Sequence, residues 1–108
     1  MKDFQKFIAD DLLELSSSKR IDILFEILTK NSSISQIAKK LNSTNQEIHR
    51  NIQRLEKHEF IEKNRDGNYQ LTNFGLNMLK QLQSMNFLSK NKKYFKKHSL
   101  EQVPTKFI

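Results

Sequence analysis

The chain has 108 residues and a mass of 12.8 kDa, which limits it to one small domain with a single hydrophobic core. Two glycines and one proline are too few for the tight turns of an all-β sandwich or barrel, and the lack of cysteine excludes disulfides, thiolate metal sites and cysteine nucleophiles. Nineteen Lys and Arg against twelve Asp and Glu give a net charge of +7 and a pI near 9.7. Such a balance is typical of nucleic-acid-binding proteins, but a solvated basic surface gives it too.

The first thirty residues do not resemble a signal peptide, because Asp3, Asp10, Asp11 and Glu14 interrupt every apolar run. No stretch approaches the roughly 18 apolar residues of a membrane span. We therefore expect a soluble cytoplasmic protein with no membrane partner.

Two amphipathic helices are predicted at the start of the chain. Residues 4–15 form the first, with apolar side chains at helical spacing. The serines at 16–18 offer N-caps for the second, which ends near Lys30 and Asn31. Their predicted apolar stripes are Phe4, Phe7, Ile8, Leu12 and Leu15 on the first helix, and Ile21, Leu24, Phe25 and Leu28 on the second.

Two capping-box patterns follow in close succession. Ser33 with Gln36 begins a short third helix, and Thr44 with Glu47 begins a fourth that carries Ile48, Ile52 and Leu55 on one face. Two short helices separated by a turn of a few residues predict a helix-turn-helix.

A hairpin and a fifth helix are predicted next. Residues 60–63 and 68–71 are short strand candidates around Arg65-Asp66-Gly67, and an Asp-Gly turn in which both residues take positive φ is expected between them. Thr72 can cap a helix that extends to about residue 88. The predicted fold is mainly α with a small β-hairpin, a winged helix-turn-helix with extra N- and C-terminal helices.

The segment from residue 33 to 72 resembles prokaryotic winged-helix transcription regulators. The matching residues are Ile37-Ala38, Leu41, Ile48, Arg50, Ile52, Leu55-Glu56, Phe60-Ile61 and Leu71-Thr72-x-x-Gly75. Further residues resemble archaeal regulators of the methanogenesis-regulator type, relatives of the arsenical-resistance repressor-like proteins: Leu15-Ser16-Ser17, Arg20-Ile21-x-Ile23-Leu24, Phe87-Leu88 and Phe95-x-x-His98-x-Leu100 before Pro104. That resemblance implies a DNA-binding domain which a C-terminal effector domain, absent from this chain, would follow.

The fourth helix supplies the main candidate contacts, because a recognition helix buries one face and presents the other to DNA. Its outward positions are rich in amide and guanidinium groups, which can pair with adenine and guanine. Cations beside the third helix, residues at the start of the fourth and the hairpin tip would contact phosphates or the minor groove. The candidate DNA-binding residues are Ser43, Thr44, Asn45, Gln46, His49, Arg50, Gln53, Arg54, Lys39, Lys40, Lys63, Arg65 and Asn68.

Catalysis and cofactor binding are not expected. His49 and His58 lie nine positions apart without a carboxylate at ligand spacing, and no phosphate loop or catalytic triad can be assembled. We predict no enzyme activity, no metal and no cofactor.

The predicted organisation is a DNA-binding domain over residues 1–88, with dimerisation helices at 1–15 and 73–88, and a basic extension or linker over 89–108. Residues 90–97 contain five lysines with Tyr94 and Phe95 among them. This segment is either a contact arm for lipid or DNA, or a solvated helix or linker whose aromatic residues pack on the fifth helix. The predicted function is sequence-specific transcription regulation as a homodimer. The alternative is a winged helix that binds protein partners of the transcription machinery.

Overall fold

A computed structural model of the chain describes residues 2–98, with side chains from residue 5 onward. The predictions that involve Leu100, Pro104 and the side chain of Phe4 therefore lie outside the described residues. By its contacts the chain divides between Asn77 and Met78 into two compact units.

The element order matches the predicted fold class: helices, a two-stranded antiparallel hairpin, then helices again. The elements are α1 (Lys2–Glu14), α2 (Ser18–Thr29), α3 (Ile34–Lys40), α4 (Asn45–Lys57), β1 (Ile61–Lys63), β2 (Tyr69–Leu71), α5 (Asn73–Lys90) and α6 (Lys92–Phe95). The helix-turn-helix formed by α3 and α4, and the wing formed by β1 and β2, are confirmed. The short helix α6 lies in the segment for which a solvated helix or a linker was expected.

One of the two predicted capping boxes is complete. The Ser33 hydroxyl accepts from the Gln36 backbone N–H at 3.3 Å, and the Gln36 side chain accepts from the Ser33 N–H at 2.9 Å. Thr44 likewise accepts from the Glu47 N–H at 3.1 Å, but Glu47 does not return the bond. Its carboxylate lies instead 3.9 Å from the Lys19 Nζ on α2, so the second reciprocal box was a wrong prediction.

The core of the first unit is formed by α2, α3, α4 and the wing. Ile48, Ile52 and Leu55 on α4 are fully buried, as predicted. On α2 the predicted stripe is partly wrong, because Ile23 and Ile27 are buried whereas Leu28 is 41% exposed. The six apolar residues of that helix fit two overlapping stripes of helical period. Packing buries the stripe that contains Ile23, Leu24 and Ile27, which the spacing alone did not favour.

The wing has a three-residue turn. Asn64 donates its N–H to the Asn68 carbonyl at 2.8 Å, and the Asn64 side chain accepts from the N–H groups of Asp66 and Asn68. Only Gly67 takes a positive φ, at 81°, so the prediction that Asp66 does so as well was wrong. A type I turn followed by a left-handed glycine needs one such residue rather than two. Ser32 adds an isolated antiparallel bridge to Tyr69, which was not predicted.

Both helices of the helix-turn-helix end in the same motif. The residue after each C-cap has positive φ, 54° at Asn42 and 67° at Glu59. At the end of α4 the Glu59 N–H donates to the Glu56 carbonyl, and the next N–H, that of Phe60, donates to Leu55. This is the Schellman pattern, in which glycine is the usual left-handed residue.

The first turn of α5 is capped and closely packed. Thr72 accepts from the Gly75 N–H at 2.9 Å, which confirms Thr72 as the cap. A Cβ atom at Gly75 would lie 2.0 Å from the Phe60 carbonyl oxygen, so glycine is required there by lack of space.

In the second unit, α5 ends at Lys90 and the short helix α6 follows. The Phe87 and Phe95 rings meet edge-on at 5.7 Å, in agreement with the interpretation in which the aromatic residues of this segment pack on the fifth helix. No helix within residues 2–98 is long and apolar enough to cross a membrane.

Candidate nucleic-acid interface

The outward face of α4 is the centre of the candidate site. Gln46, His49, Arg50 and Gln53 are all exposed, opposite the buried face of the same helix. Within residues 2–98, none of these four side chains forms a hydrogen bond or an ion pair. Their amide, imidazole and guanidinium groups are therefore available to a ligand.

Arg54, also a predicted contact residue, forms an ion pair within the protein. Its Nη2 and Nε donate to the two carboxylate oxygens of Glu14 at 2.9 and 3.2 Å. Arg20 Nε lies 3.7 Å from the same carboxylate and His58 Nε2 lies 3.3 Å from it. The structure thus separates Arg54 from the free face, because its guanidinium pairs within the protein.

Glu14 is the centre of this cluster and only 4% exposed. Burial acts to raise the pKa of Glu14, but the hydrogen bonds from Arg54 and the charges of Arg54, His58 and Arg20 outweigh it and hold the pKa below its usual range. The same hydrogen bonds and charge raise the pKa of Arg54. The ion pairs join the last residue of α1 to α2 and α4, and so fix the second half of α4 relative to the N-terminal helix.

The start of α4 is already partly occupied by internal contacts. Thr44 caps the helix, and the Ser43 hydroxyl accepts from Lys19 Nζ at 2.5 Å. Asn45 is exposed, as are Lys39 and Lys40 in the last turn of α3. Around this helix end, the candidates without an internal contact among the described residues are therefore Asn45, Lys39 and Lys40.

The wing brings its predicted residues to the hairpin. Arg65 lies at the exposed tip, and Lys63 is exposed with its Nζ 5.9 Å from the centre of the Tyr69 ring. Asn68 is half-buried, and its backbone closes the turn. Of the three, Arg65 is the side chain best placed to reach a polyanion.

Comparison with known proteins decides the family. A family model described as winged helix-turn-helix matches residues 18–90, which is more than half of the chain. The chain belongs to the winged helix-turn-helix family. No curated protein sequence matches it.

This winged helix-turn-helix chain is also similar in fold to a solved structure. A variant of ZitR from Lactococcus lactis superposes with a TM-score of 0.57 over 80% of this chain, at 19% sequence identity. The match covers 64% of that protein, so the present chain spans less than two thirds of its length.

Sequence reasoning did not identify the Glu14 cluster of this winged helix-turn-helix. No sequence pattern predicts Arg20 and His58 as its partners, and the sequence indicates only that Glu14 is a charge on the first helix. The two residues of the Glu14–Arg54 pair lie 40 positions apart, so no local spacing pattern could have revealed them. The only available sign was an acidic residue at the apolar end of α1.

A shallow cavity of about 740 Å³ lies beside the wing, with Glu56, Glu59, Glu62 and Phe74 in its lining. Burial, followed by the nearby Glu56 carboxylate, raises the pKa of Tyr69. The carboxylates make this side of the wing unfavourable for a polyanion, in contrast to the free face of α4. Within residues 2–98 no group of three or more His, Asp or Glu side chains is arranged to hold a metal ion.

Proposed function

We propose that this protein is a transcription regulator that binds double-stranded DNA in a sequence-specific manner. The observation that carries the proposal is the outward face of α4, on which four polar or basic side chains are exposed and unpaired within the described residues. In a helix-turn-helix such a face enters the major groove, where bidentate amide and guanidinium contacts distinguish bases.

The proposed contacts divide by role. Gln46, His49, Arg50 and Gln53 face base edges, while Lys39, Lys40 and Asn45 contact the flanking phosphates. Arg65 at the wing tip contacts phosphate or the minor groove. We leave Arg54 out of the contact set because Glu14 holds its guanidinium.

Paired substitutions test these roles. Arg50→Ala should weaken operator binding by roughly 1–3 kcal/mol and relax sequence preference, whereas Arg65→Ala should weaken binding to all duplexes equally and lower the salt slope by about one. The operator is first selected from a random duplex library, and affinities are measured at several salt concentrations. Lys30→Ala, an exposed cation at the end of α2, is the matched control and should bind as the wild type does.

Two outcomes would contradict the proposal. If the library yields no preferred sequence, or if Arg50→Ala retains full affinity with an intact fold, α4 does not read DNA. A chain without salt-dependent affinity for any duplex would support the alternative of a protein-interaction module.

We further propose that the protein acts as a homodimer. Among the described residues, four of the eight exposed large hydrophobic side chains lie on α1: Phe7, Ile8, Leu12 and Leu13. Phe7 is 72% exposed, which is unusual for a large aromatic residue in a free monomer. On α5, Met85 and Leu88 are also exposed. A second copy of the chain would cover both apolar surfaces, and two-fold symmetry would give two half-site contacts one DNA turn apart.

The variant Phe7→Asp/Leu12→Asp tests this dimer. It removes apolar surface from α1 but keeps Glu14, so the cluster that joins α1 to α4 is retained. Light scattering should show a dimer for the wild type and a monomer for the variant, and operator affinity should fall by more than for any single contact residue because the two half-sites become independent. A wild-type chain that is monomeric at micromolar concentration, free and on DNA, would refute the dimer.

The finer resemblance to archaeal methanogenesis-regulator-type proteins is part of the same proposal. It is supported by the residues quoted above, among them Arg20, which the structure buries beside Glu14. On this basis an effector domain would control the DNA affinity of the winged helix-turn-helix.

A further inference from the structure

The second unit carries a strongly one-sided charge. Its described part, residues 78–98, contains six lysines and no Asp or Glu. Four of the lysines, Lys92, Lys93, Lys96 and Lys97, lie on and directly after α6, and all four are exposed. We call these four residues the lysine patch.

The lysine patch lies beside a cluster of aromatic contacts. Phe95 contacts the Phe87 ring at 5.7 Å and the Tyr94 ring at 5.3 Å, and Tyr94 stacks on His98 at 4.3 Å. Asn91 Nδ2 donates to the Phe87 carbonyl at 2.8 Å where α5 ends. With about 100° between successive residues, the four lysines occupy one side of this turn and the two aromatic residues of α6 the other.

This arrangement has an electrostatic cost in the free protein. Lys92 and Lys96, and likewise Lys93 and Lys97, are spaced i and i+4, where like charges repel on a helix surface. None of the four forms an ion pair within the described residues, and residues 78–98 contain no carboxylate side chain to neutralise them. A polyanion would relieve this repulsion.

We propose that the lysine patch binds the phosphate backbone of duplex DNA, as a contact additional to α4 and the wing. This inference rests on the proposed function, since it assigns the patch the same class of ligand, duplex DNA. Lysine ammonium groups on a short rigid turn recognise phosphates without regard to base sequence. The patch therefore adds affinity and salt dependence, and leaves sequence preference to α4.

The aromatic contacts favour DNA over an anionic membrane. A membrane-surface helix needs apolar side chains free to enter the lipid boundary. Here Phe87, Tyr94 and Phe95 are half-buried, and the Phe95 ring contacts the other two rings. Within the described part of the second unit, Met85 and Leu88 are the exposed large hydrophobic residues, and neither lies on α6.

The test replaces all four lysines of the full chain by glutamine and, in a matched control, by arginine. Affinities for the selected operator and for a random duplex are measured at several salt concentrations, and thermal unfolding checks that both variants fold. The glutamine variant should lose roughly 10- to 100-fold in affinity for both duplexes at about 0.1 M salt, and its salt slope should fall by about 2–4. The arginine variant should bind as the wild type does, because it keeps the charge.

Several results would overturn the inference. An unchanged salt slope in a folded glutamine variant would show that the patch contacts no phosphate, even where operator recognition by α4 holds. If the glutamine variant loses affinity for the operator alone, the patch is not a sequence-independent phosphate contact. If the arginine variant loses as much affinity as the glutamine variant, the substitutions alter the structure of the segment and not only its charge. Loss of binding to phosphatidylserine-containing vesicles with unchanged duplex binding would assign the patch to membranes instead. If operator preference is absent but the glutamine variant still loses duplex affinity, sequence-specific recognition by α4 is refuted and phosphate binding by the lysine patch is supported.

Discussion

The carboxylate of Glu14 should be a main electrostatic contributor to the stability of this small domain. Glu14→Gln keeps the shape of the side chain and removes its charge. In the wild type that carboxylate accepts two charge-assisted hydrogen bonds from Arg54 and lies within 4 Å of Arg20 and His58. The glutamine leaves the Arg20 and Arg54 guanidinium groups near one another without a negative group between them.

The magnitude follows from the number and exposure of the contacts. A hydrogen bond to a charged group contributes about 1.5–3 kcal/mol net. Glu14→Gln weakens the two hydrogen bonds from Arg54, but the Gln side-chain oxygen can still accept one of them. Because the Arg54 side chain is half exposed, water can hydrate the guanidinium and reduce the loss. Arg20 keeps its bond to the Glu14 backbone carbonyl at 2.6 Å. We therefore expect a loss of about 2–3 kcal/mol at neutral pH, which corresponds to roughly 10–20 °C in Tm for a domain of this size.

The effect should depend on pH in one direction. The folded-state pKa of Glu14 lies below its ordinary value of 4.5, so its stabilisation is complete above that value. It is lost as the pH falls through the folded-state pKa, where the wild-type side chain becomes neutral too. The unfolding free energies of the wild type and Glu14→Gln should therefore differ at pH 7 and converge in acid.

Urea and thermal unfolding followed by circular dichroism at pH 7 and in steps below pH 5 measure both effects. Glu56→Gln is the matched control, because Glu56 is exposed on α4 and should change stability by no more than about 0.5 kcal/mol. Arg54→Gln should cost more unfolding free energy in the wild-type background than in the Glu14→Gln background, because the Glu14 carboxylate that pairs with Arg54 is already absent in the second. Equal stability of Glu14→Gln and wild type at pH 7, or a difference that does not change with pH, would refute the reasoning.

Two further predictions concern backbone geometry, both measured by urea unfolding. Gly75→Ala should destabilise by at least about 2 kcal/mol, because its Cβ would meet the Phe60 carbonyl at 2.0 Å, whereas Gly67→Ala has free space and should cost about 1 kcal/mol through its φ of 81° alone. An equal effect at the two glycines would contradict the packing argument. Glu59→Gly should stabilise by about 1 kcal/mol and Asn42→Gly by less, since both residues have positive φ but asparagine tolerates that conformation better. A stability loss in Glu59→Gly would mean that the carboxylate makes a contribution beyond its backbone strain.

The predictions that succeeded depend on interactions within a few residues. The caps at Ser33, Thr44 and Thr72 were correct because a side-chain oxygen and the N–H it accepts from lie three positions apart. The buried face of α4 was correct because its apolar residues form one stripe with polar residues on the other sides. Its free outward face followed from the same periodicity, although which outward groups are unpaired did not.

Local spacing along the chain is sufficient to predict the order of helices and wing, the caps and the polar face of α4, because each depends on residues a few positions apart. Three features depend instead on packing between distant segments: which of two stripes on α2 is buried, the position of Glu47 near Lys19 instead of in its cap, and the ion pair of Arg54 with Glu14. Those outcomes depend on groups brought together from distant positions. The energy of such a contact comes from burial and charge in the folded state, so no periodicity along the chain encodes it.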